Sequence, residues 1–116
     1  ELQALVHLYN FDLICLNETF LRPDSLFTPF PGFSCHRGDR INGHHGGSAI
    51  LIRDCIPFQI APTSLDDACA VDIFLPGLPP IRIICCYCSP SQPLPTAQLE
   101  TTLSASPHPV VCLGDF

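Results

Sequence analysis

Three residues of types that bind metals or phosphates stand at the ends of short apolar runs: Glu18, Tyr87 and Asp115. Such runs predict buried strands, and in layered α/β proteins ligand sites form outside the carboxyl ends of strands, so these side chains are expected to converge. Paired carboxylates with no lysine nearby suit Mg²⁺, which prefers hard oxygen ligands and shares them with substrate phosphates. The tyrosine hydroxyl could donate to a phosphate or to a developing charge. The residues alone leave two interpretations, a metal site or three solvated strand ends.

The elements that must position these residues are predicted from the spacing of apolar residues and from prolines and glycines. Apolar residues three and four apart predict an amphipathic helix over residues 1–9, and Thr96 is expected to cap a second helix that runs to Ala105. Strands are predicted over residues 11–16, 33–37 (an edge strand), 48–53, 69–75, 81–87 and 110–113, with loops over 20–32 and 38–47. This order predicts α/β or α+β layers, and an uncovered last strand would expose sheet surface.

Composition excludes several classes of protein. The 116 residues suit one small domain, and a hydrophobic content of 47% with 14% charged residues excludes intrinsic disorder. No run approaches the ~20 apolar residues that cross a bilayer, so no membrane partner is expected. The net charge is −6 and all five basic residues are arginines, which argues against a basic nucleic-acid footprint.

Eight cysteines could indicate disulfides or a zinc site. Most of them lie inside apolar runs and no secretion signal is present, so we expect reduced core thiols. A structural zinc is the weaker interpretation, because Cys86 and Cys88 form only a Cys-x-Cys. Neighbouring residues of a strand point to opposite faces, which also weakens the pairs Cys35-His36 and His44-His45 as ligands.

Other polar residues have ordinary structural interpretations. Arg37 and Arg40 could contact phosphates but are expected to be solvated loop arginines that pair with Asp39 or with each other's neighbours. Asp66-Asp67 is typical of a turn and Asp72 alternates within a strand, so no calcium loop is predicted. We expect a solvated pair at His44-His45 and a surface turn at His108.

Four segments, in this order, resemble the endonuclease/exonuclease/phosphatase superfamily. The resemblance is nearest to the apurinic-type endonuclease domain of non-LTR (LINE-type) retrotransposons. The segments are Phe11-Asp12-Leu13-Ile14-Cys15-Leu16-Asn17-Glu18-Thr19, Gly46-Gly47-Ser48-Ala49-Ile50-Leu51-Ile52-Arg53, Tyr87-Cys88-Ser89-Pro90 and Val111-Cys112-Leu113-Gly114-Asp115-Phe116.

The resemblance implies a four-layer α/β sandwich that hydrolyses phosphodiesters with Mg²⁺, or with Mn²⁺ in its place. Glu18 is similar to the family's metal-binding glutamate, Tyr87 to its active-site tyrosine, and Asp115 to the aspartate that orients the attacking water. Gly46 and Gly47 resemble paired structural glycines. The parent protein is expected to be intracellular, in the nucleus, where it would nick target DNA to prime reverse transcription.

The chain also departs from the family pattern. Asn17 stands where many members have Gln, and the family's N-terminal strand, the Asn after Phe116 and the Ser-Asp-His segment are absent from the sequence. We therefore expect residues 1–116 to form an incomplete sandwich that is inactive alone and prone to aggregate. The alternatives are a phosphatase or lipid phosphodiesterase of the same superfamily, or a non-catalytic binding or structural fragment.

Overall fold

The computed structural model describes residues 1–27, 30–41 and 45–116. His44 and Pro29 lie outside these residues. In chain order the elements are α1 (Leu2–Tyr9), β1 (Leu13–Asn17), β2 (Phe33–Gly38), β3 (Ser48–Arg53), β4 (Phe58–Ala61), β5 (Ala68–Ile73), β6 (Ile81–Tyr87), α2 (Thr96–Ser104) and β7 (Val110–Asp115).

Two sheets pack face to face between the two helices. The first sheet has the order β1-β3-β2 and the second the order β4-β5-β6-β7. All neighbours are antiparallel except β6 and β7, which are parallel and are connected through α2. The layers run helix, sheet, sheet, helix, which confirms the predicted α/β fold.

Strand β3 shows why the sheets have this arrangement. It is the middle strand of its sheet, so both of its edges are paired, and its two faces are covered by the second sheet and by α1, so that Ile50, Leu51 and Ile52 are fully buried. Because side chains alternate along a strand, Ile50 and Ile52 face the second sheet, where they pack with residues such as Val71. Leu51 faces the other way and packs with Val6 of α1.

The second sheet is covered on its outer side by α2. Leu99 of that helix packs against a cluster that includes Ile84 and Cys86 of β6. The connection from β6 through α2 to β7 is the short crossover that a parallel strand pair needs. It places the end of β7 beside the end of β6.

Three sequence predictions are wrong in detail. Strand β4 was not predicted; it is a short strand directly after Pro57, and its Ile60 is 67% exposed, so its apolar pattern is weak. Thr96 does not cap α2, since Pro95 occupies the N-cap position and no side chain caps the helix. Strand β7 is not buried: it lies at the sheet edge, where Val111 and Leu113 are each 43% exposed.

All eight cysteines are free thiols, and Cys69, Cys85 and Cys86 are buried as core thiols, whereas Cys55 is exposed and does not fit the expectation of a core position. Burial raises the pKa of the Cys86 thiol, so this side chain packs as a neutral group. Within the described residues, neither of the two short helices is long and apolar enough to span a membrane.

Candidate functional site

The residues singled out from the sequence lie at one end of the sandwich, where strands start or finish; this end is called the site edge below. Strands β1, β6 and β7 end at this edge, and the antiparallel strands β3 and β5 begin there. The register shows it directly, because Asn17 pairs with Ser48 and Tyr87 pairs with Asp115. The edge thus brings together side chains that are far apart in the sequence.

Asn17 links the two sheets at this edge. Its side-chain Nδ2 donates to Ser48 Oγ at 3.0 Å within its own sheet and to the carbonyl oxygen of Cys86 at 3.0 Å in the other sheet. Asn17 immediately precedes Glu18, and Cys86 immediately precedes Tyr87. The link therefore fixes the spacing between the two candidate residues that follow.

Glu18 leaves β1 in a left-handed backbone conformation, with φ of 52°. Residues other than glycine seldom adopt this region, and when they do the position is often functional. The next two residues hydrogen-bond to the start of the neighbouring strand, Thr19 N to Gly47 O at 3.4 Å and Phe20 N to Gly46 O at 3.0 Å. These bonds hold the turn that aims the Glu18 side chain at the second sheet.

Tyr87 meets Glu18 across the gap between the sheets. Its hydroxyl donates a hydrogen bond of 2.7 Å to Glu18 Oε1. Tyr87 and Asp115 are opposite each other in the parallel pair β6–β7, so their side chains leave the same face of the sheet. Of the three predicted residues, Glu18 and Tyr87 are in direct contact, and Asp115 is the strand partner of Tyr87.

Gly114 determines how closely β7 approaches β6 just before Asp115. A Cβ atom at position 114 would lie 1.8 Å from the carbonyl oxygen of Cys86, a backbone atom that cannot move aside. Any side chain here would push the strands apart. Glycine is thus needed for the pairing that puts Asp115 next to Tyr87.

Negative charge dominates the surroundings of the Tyr87 phenol. The hydrogen bond to Glu18 is the largest cause of a raised Tyr87 pKa, and burial and the charges of Glu18 and Asp115 act in the same direction. The Arg40 guanidinium opposes them. The phenol therefore stays protonated and keeps donating to the carboxylate at neutral pH.

Arg40 lies near the phenol, where the sequence did not predict it. Its Nε donates to Asp67 Oδ2 at 2.7 Å and its Nη2 contacts the same oxygen, while Arg37 is the arginine that pairs with Asp39. The expected pairing with Asp39 is confirmed for Arg37, whereas the expectation that Arg40 would pair with Asp39 or with a neighbour of Arg37 is wrong. Asp67, in the predicted turn, is buried and comes directly before β5, which begins at the site edge.

Gly46 and Gly47 both adopt positive φ angles, 105° and 88°, that other residues rarely adopt. A Cβ on Gly46 would be 2.9 Å from Arg40 Nε, and one on Gly47 would be 2.6 Å from Thr19 Oγ1. Absence of side chains here lets the guanidinium and the turn after Glu18 approach the backbone of β3.

The Glu18 carboxylate could serve as a metal ligand, and the Asp115 carboxylate lies in register beside the tyrosine that contacts Glu18. Among the described residues, the Glu18 carboxylate accepts one hydrogen bond, from Tyr87, and the Asp115 carboxylate accepts none and forms no ion pair. No described group of three or more His, Cys, Asp and Glu side chains could enclose a metal. Two uncompensated carboxylates fit Mg²⁺, which is commonly held by one or two carboxylates, water and substrate phosphate.

Sequence reasoning named Arg40 as a possible phosphate contact but missed its pairing with Asp67, because that contact joins loops 27 residues apart. The position of Asp67 could have been predicted from the antiparallel arrangement of β5 and β6. If β5 runs opposite to β6, the acid that precedes β5 must lie at the edge where β6 ends. His45, another candidate ligand, instead contacts the Phe20 ring edge-on at 5.3 Å between centroids.

Comparison with known proteins gives one family match. The model of the family described as endonuclease/exonuclease/phosphatase matches residues 1–116. No curated protein matches the chain. The match therefore covers the whole sequence, including all the residues of the site edge.

Proposed function

The chain belongs to the endonuclease/exonuclease/phosphatase family, and from this premise we propose that it carries the metal-binding part of a site that hydrolyses phosphodiester bonds of DNA. Glu18 is the proposed metal ligand, with Mg²⁺ as the ion and Mn²⁺ as a substitute. The observation that carries the proposal is the 2.7 Å hydrogen bond from Tyr87 Oη to Glu18 Oε1 with Asp115 in register beside it.

Each residue has a separate part in this proposal. Tyr87 orients the Glu18 carboxylate by donating to one of its oxygens, which leaves the other for the metal. Asp115 orients the attacking water through its carboxylate. Bound Mg²⁺ would neutralise phosphate oxygens and stabilise charge on the leaving oxygen. In the reaction the water oxygen bonds to phosphorus as the water loses a proton, the phosphorus–oxygen ester bond breaks, and the leaving oxygen takes up one proton, so that the proton count balances.

A metal titration tests the proposal. Mn²⁺ binding is followed by electron paramagnetic resonance, with Mg²⁺ as competitor, on the wild type and on Glu18→Gln. We expect Glu18→Gln to weaken binding at least tenfold, because it removes a charged ligand. Glu100→Gln is the matched control, since Glu100 is an exposed residue of α2, and should bind like the wild type. Equal binding by wild type and Glu18→Gln would show that the assignment is wrong.

We further propose that the parent protein is a nuclear retrotransposon endonuclease that nicks DNA to prime reverse transcription. The order and spacing of the four sequence segments support this. The reading frame around the chain is the test, because a Ser-Asp-His segment followed by a reverse transcriptase is expected. A frame with neither would favour a phosphatase, a lipid phosphodiesterase or a non-catalytic fragment.

We propose that the 116 residues alone do not hydrolyse DNA. The general base that the resemblance assigns to a Ser-Asp-His segment is not in this sequence, and such a group contributes roughly 10²–10⁴-fold in rate. A plasmid-nicking assay with Mg²⁺ should show no product. If the wild type cleaves the plasmid and Glu18→Gln does not, the prediction of an inactive chain is contradicted, but the assignment of Glu18 is supported.

A further inference from the structure

We propose that Arg40 binds a backbone phosphate of the nucleic acid, next to the one hydrolysed, in the cleft beside Tyr87. This inference rests on the proposed function, since it names a further substrate contact of the same site. The cleft has a volume of about 460 Å³ and lies between the start of β5, the end of β6 and the start of α2. Tyr87 lines it and also contacts Glu18, so the cleft adjoins the proposed metal ligand.

Arg40 is the only basic residue among the described residues that line this cleft. Arg37, by contrast, holds the backbone oxygens of Ser25 and Arg22 together with Asp39. Arg82 is buried against Asp72 in the second sheet. An anion that enters the cleft therefore meets one guanidinium, that of Arg40.

The geometry of the ion pair leaves part of that guanidinium available. Nε and Nη2 of Arg40 both donate to one oxygen of Asp67, and Nη1 has no partner among the described residues. The Arg40 side chain is 28% exposed, whereas the Asp67 side chain is 5% exposed. A guanidinium has five donors in a fixed plane, so a carboxylate on one side can orient it towards a phosphate on the other.

Asp67 is itself fixed to the site by its backbone. Its carbonyl oxygen accepts a hydrogen bond of 2.6 Å from Ser48 Oγ and one of 3.3 Å from the backbone N–H of Tyr87. The same residue thus contacts β3, β6 and Arg40. This network keeps the guanidinium at a constant position relative to the Tyr87 phenol, which a substrate contact requires.

The test is the salt dependence of DNA binding. Anisotropy of a labelled DNA duplex, titrated with the 116-residue chain at fixed Mg²⁺ and varied KCl, gives the slope of log Kd against log salt. Arg40→Gln keeps a donor for Asp67 but removes the charge. We expect weaker binding and a slope smaller by up to about 1, the change for one lost phosphate contact. Arg40→Lys should retain most of the slope.

Arg53→Gln is the matched control. Arg53 is also 28% exposed and paired with an aspartate, Asp12, but it lies at the opposite end of β3. Its substitution should leave both affinity and slope unchanged. Equal slopes for wild type and Arg40→Gln, or no binding of the duplex by the wild type, would overturn the proposal.

A second measurement uses the unaltered chain and so does not depend on the folding of a variant. Phenylglyoxal modifies exposed arginines, and mass spectrometry reports each position. DNA is expected to protect Arg40 and not Arg53, and equal protection of the two would contradict the proposal. The proposed function is tested separately, by the metal titration without DNA. If Glu18→Gln binds Mn²⁺ as tightly as the wild type, the proposed function is refuted, whatever the result for Arg40.

Discussion

At the scale of single residues, Tyr87 is the side chain on which the site converges. Its hydroxyl contacts Glu18, its strand partner is Asp115, and Arg40 is the cation near it. Neutral phenol donates to the carboxylate, whereas a phenolate would repel it. The protonation of one group therefore decides whether the arrangement persists.

This gives a prediction for the titration of Tyr87. Ultraviolet difference titration of the wild type against Tyr87→Phe should give a Tyr87 pKa above the ordinary tyrosine value. Glu18→Gln should move that pKa down, because it replaces the carboxylate, whose hydrogen bond is the largest cause of the raised pKa and whose charge adds to it, with a neutral and weaker acceptor. An unchanged pKa in Glu18→Gln would contradict the contact.

The same shift has a consequence for stability against pH. The raised pKa means that the folded protein binds more protons than the unfolded chain in the range above the ordinary tyrosine value. The stabilisation is complete below that value and is lost as the pH rises through the Tyr87 pKa. Tyr87→Phe should abolish this part of the alkaline loss.

Residue types and spacing were enough to select Glu18, Tyr87 and Asp115, since each stands where a run of apolar residues ends. They were not enough for Arg40 and Asp67. Which aspartate an arginine pairs with depends on how two loops fold over the same sheet edge, and local sequence favoured Asp39. The ion pair is a product of tertiary structure.

At the scale of elements, β5 and β6 contain a charged pair inside an otherwise apolar sheet. Asp72 and Arg82 are opposite each other in the register and form two hydrogen bonds, at 2.8 and 2.9 Å. They are 8% and 5% exposed. Arg82 lowers the pKa of Asp72, so its stabilisation is present above the ordinary aspartate pKa and is lost as the pH falls through the depressed value.

We predict that Asp72→Asn lowers the free energy of unfolding by about 3 kcal/mol, because it leaves the Arg82 charge buried without its partner. Urea unfolding followed by circular dichroism measures it. Asp12→Asn breaks the exposed Arg53 pair and should cost less than about 1 kcal/mol. If both variants lower the free energy of unfolding by similar amounts, burial of the ion pair does not determine how much it stabilises the fold.

Most elements were predictable because their apolar periods are strong, as in Ser48–Arg53 and Ile81–Tyr87. Strand β4 was not, because its exposed Ile60 and the preceding Pro57 resemble a loop. The burial of β7 was overestimated for another reason. Its apolar run predicts a core strand, but its place at the edge of the sheet is decided by pairing, which composition does not encode.

At the scale of the whole molecule, the two sheets leave an apolar flank beside β7. Val111 and Leu113 are each 43% exposed, and Leu113 lines a cavity of about 410 Å³ together with Leu13 and Cys15 of β1. Edge strands also carry unpaired backbone groups. Both features favour association between copies of the chain.

We predict that the chain associates with rising concentration in sedimentation velocity and that Leu113→Lys reduces this association, since a charge on an edge opposes strand pairing. Leu26→Lys adds the same charge at a loop residue that is 99% exposed and should have little effect. An equal reduction by both variants would indicate a general effect of net charge.

Gly114 has a consequence for comparing this chain with related sequences. Because a Cβ there would lie 1.8 Å from a carbonyl oxygen of β6, the glycine is a steric condition for the position of Asp115. A related sequence that keeps the aspartate but has another residue before it is not expected to hold that aspartate beside Tyr87, because its Cβ would clash with the backbone of β6.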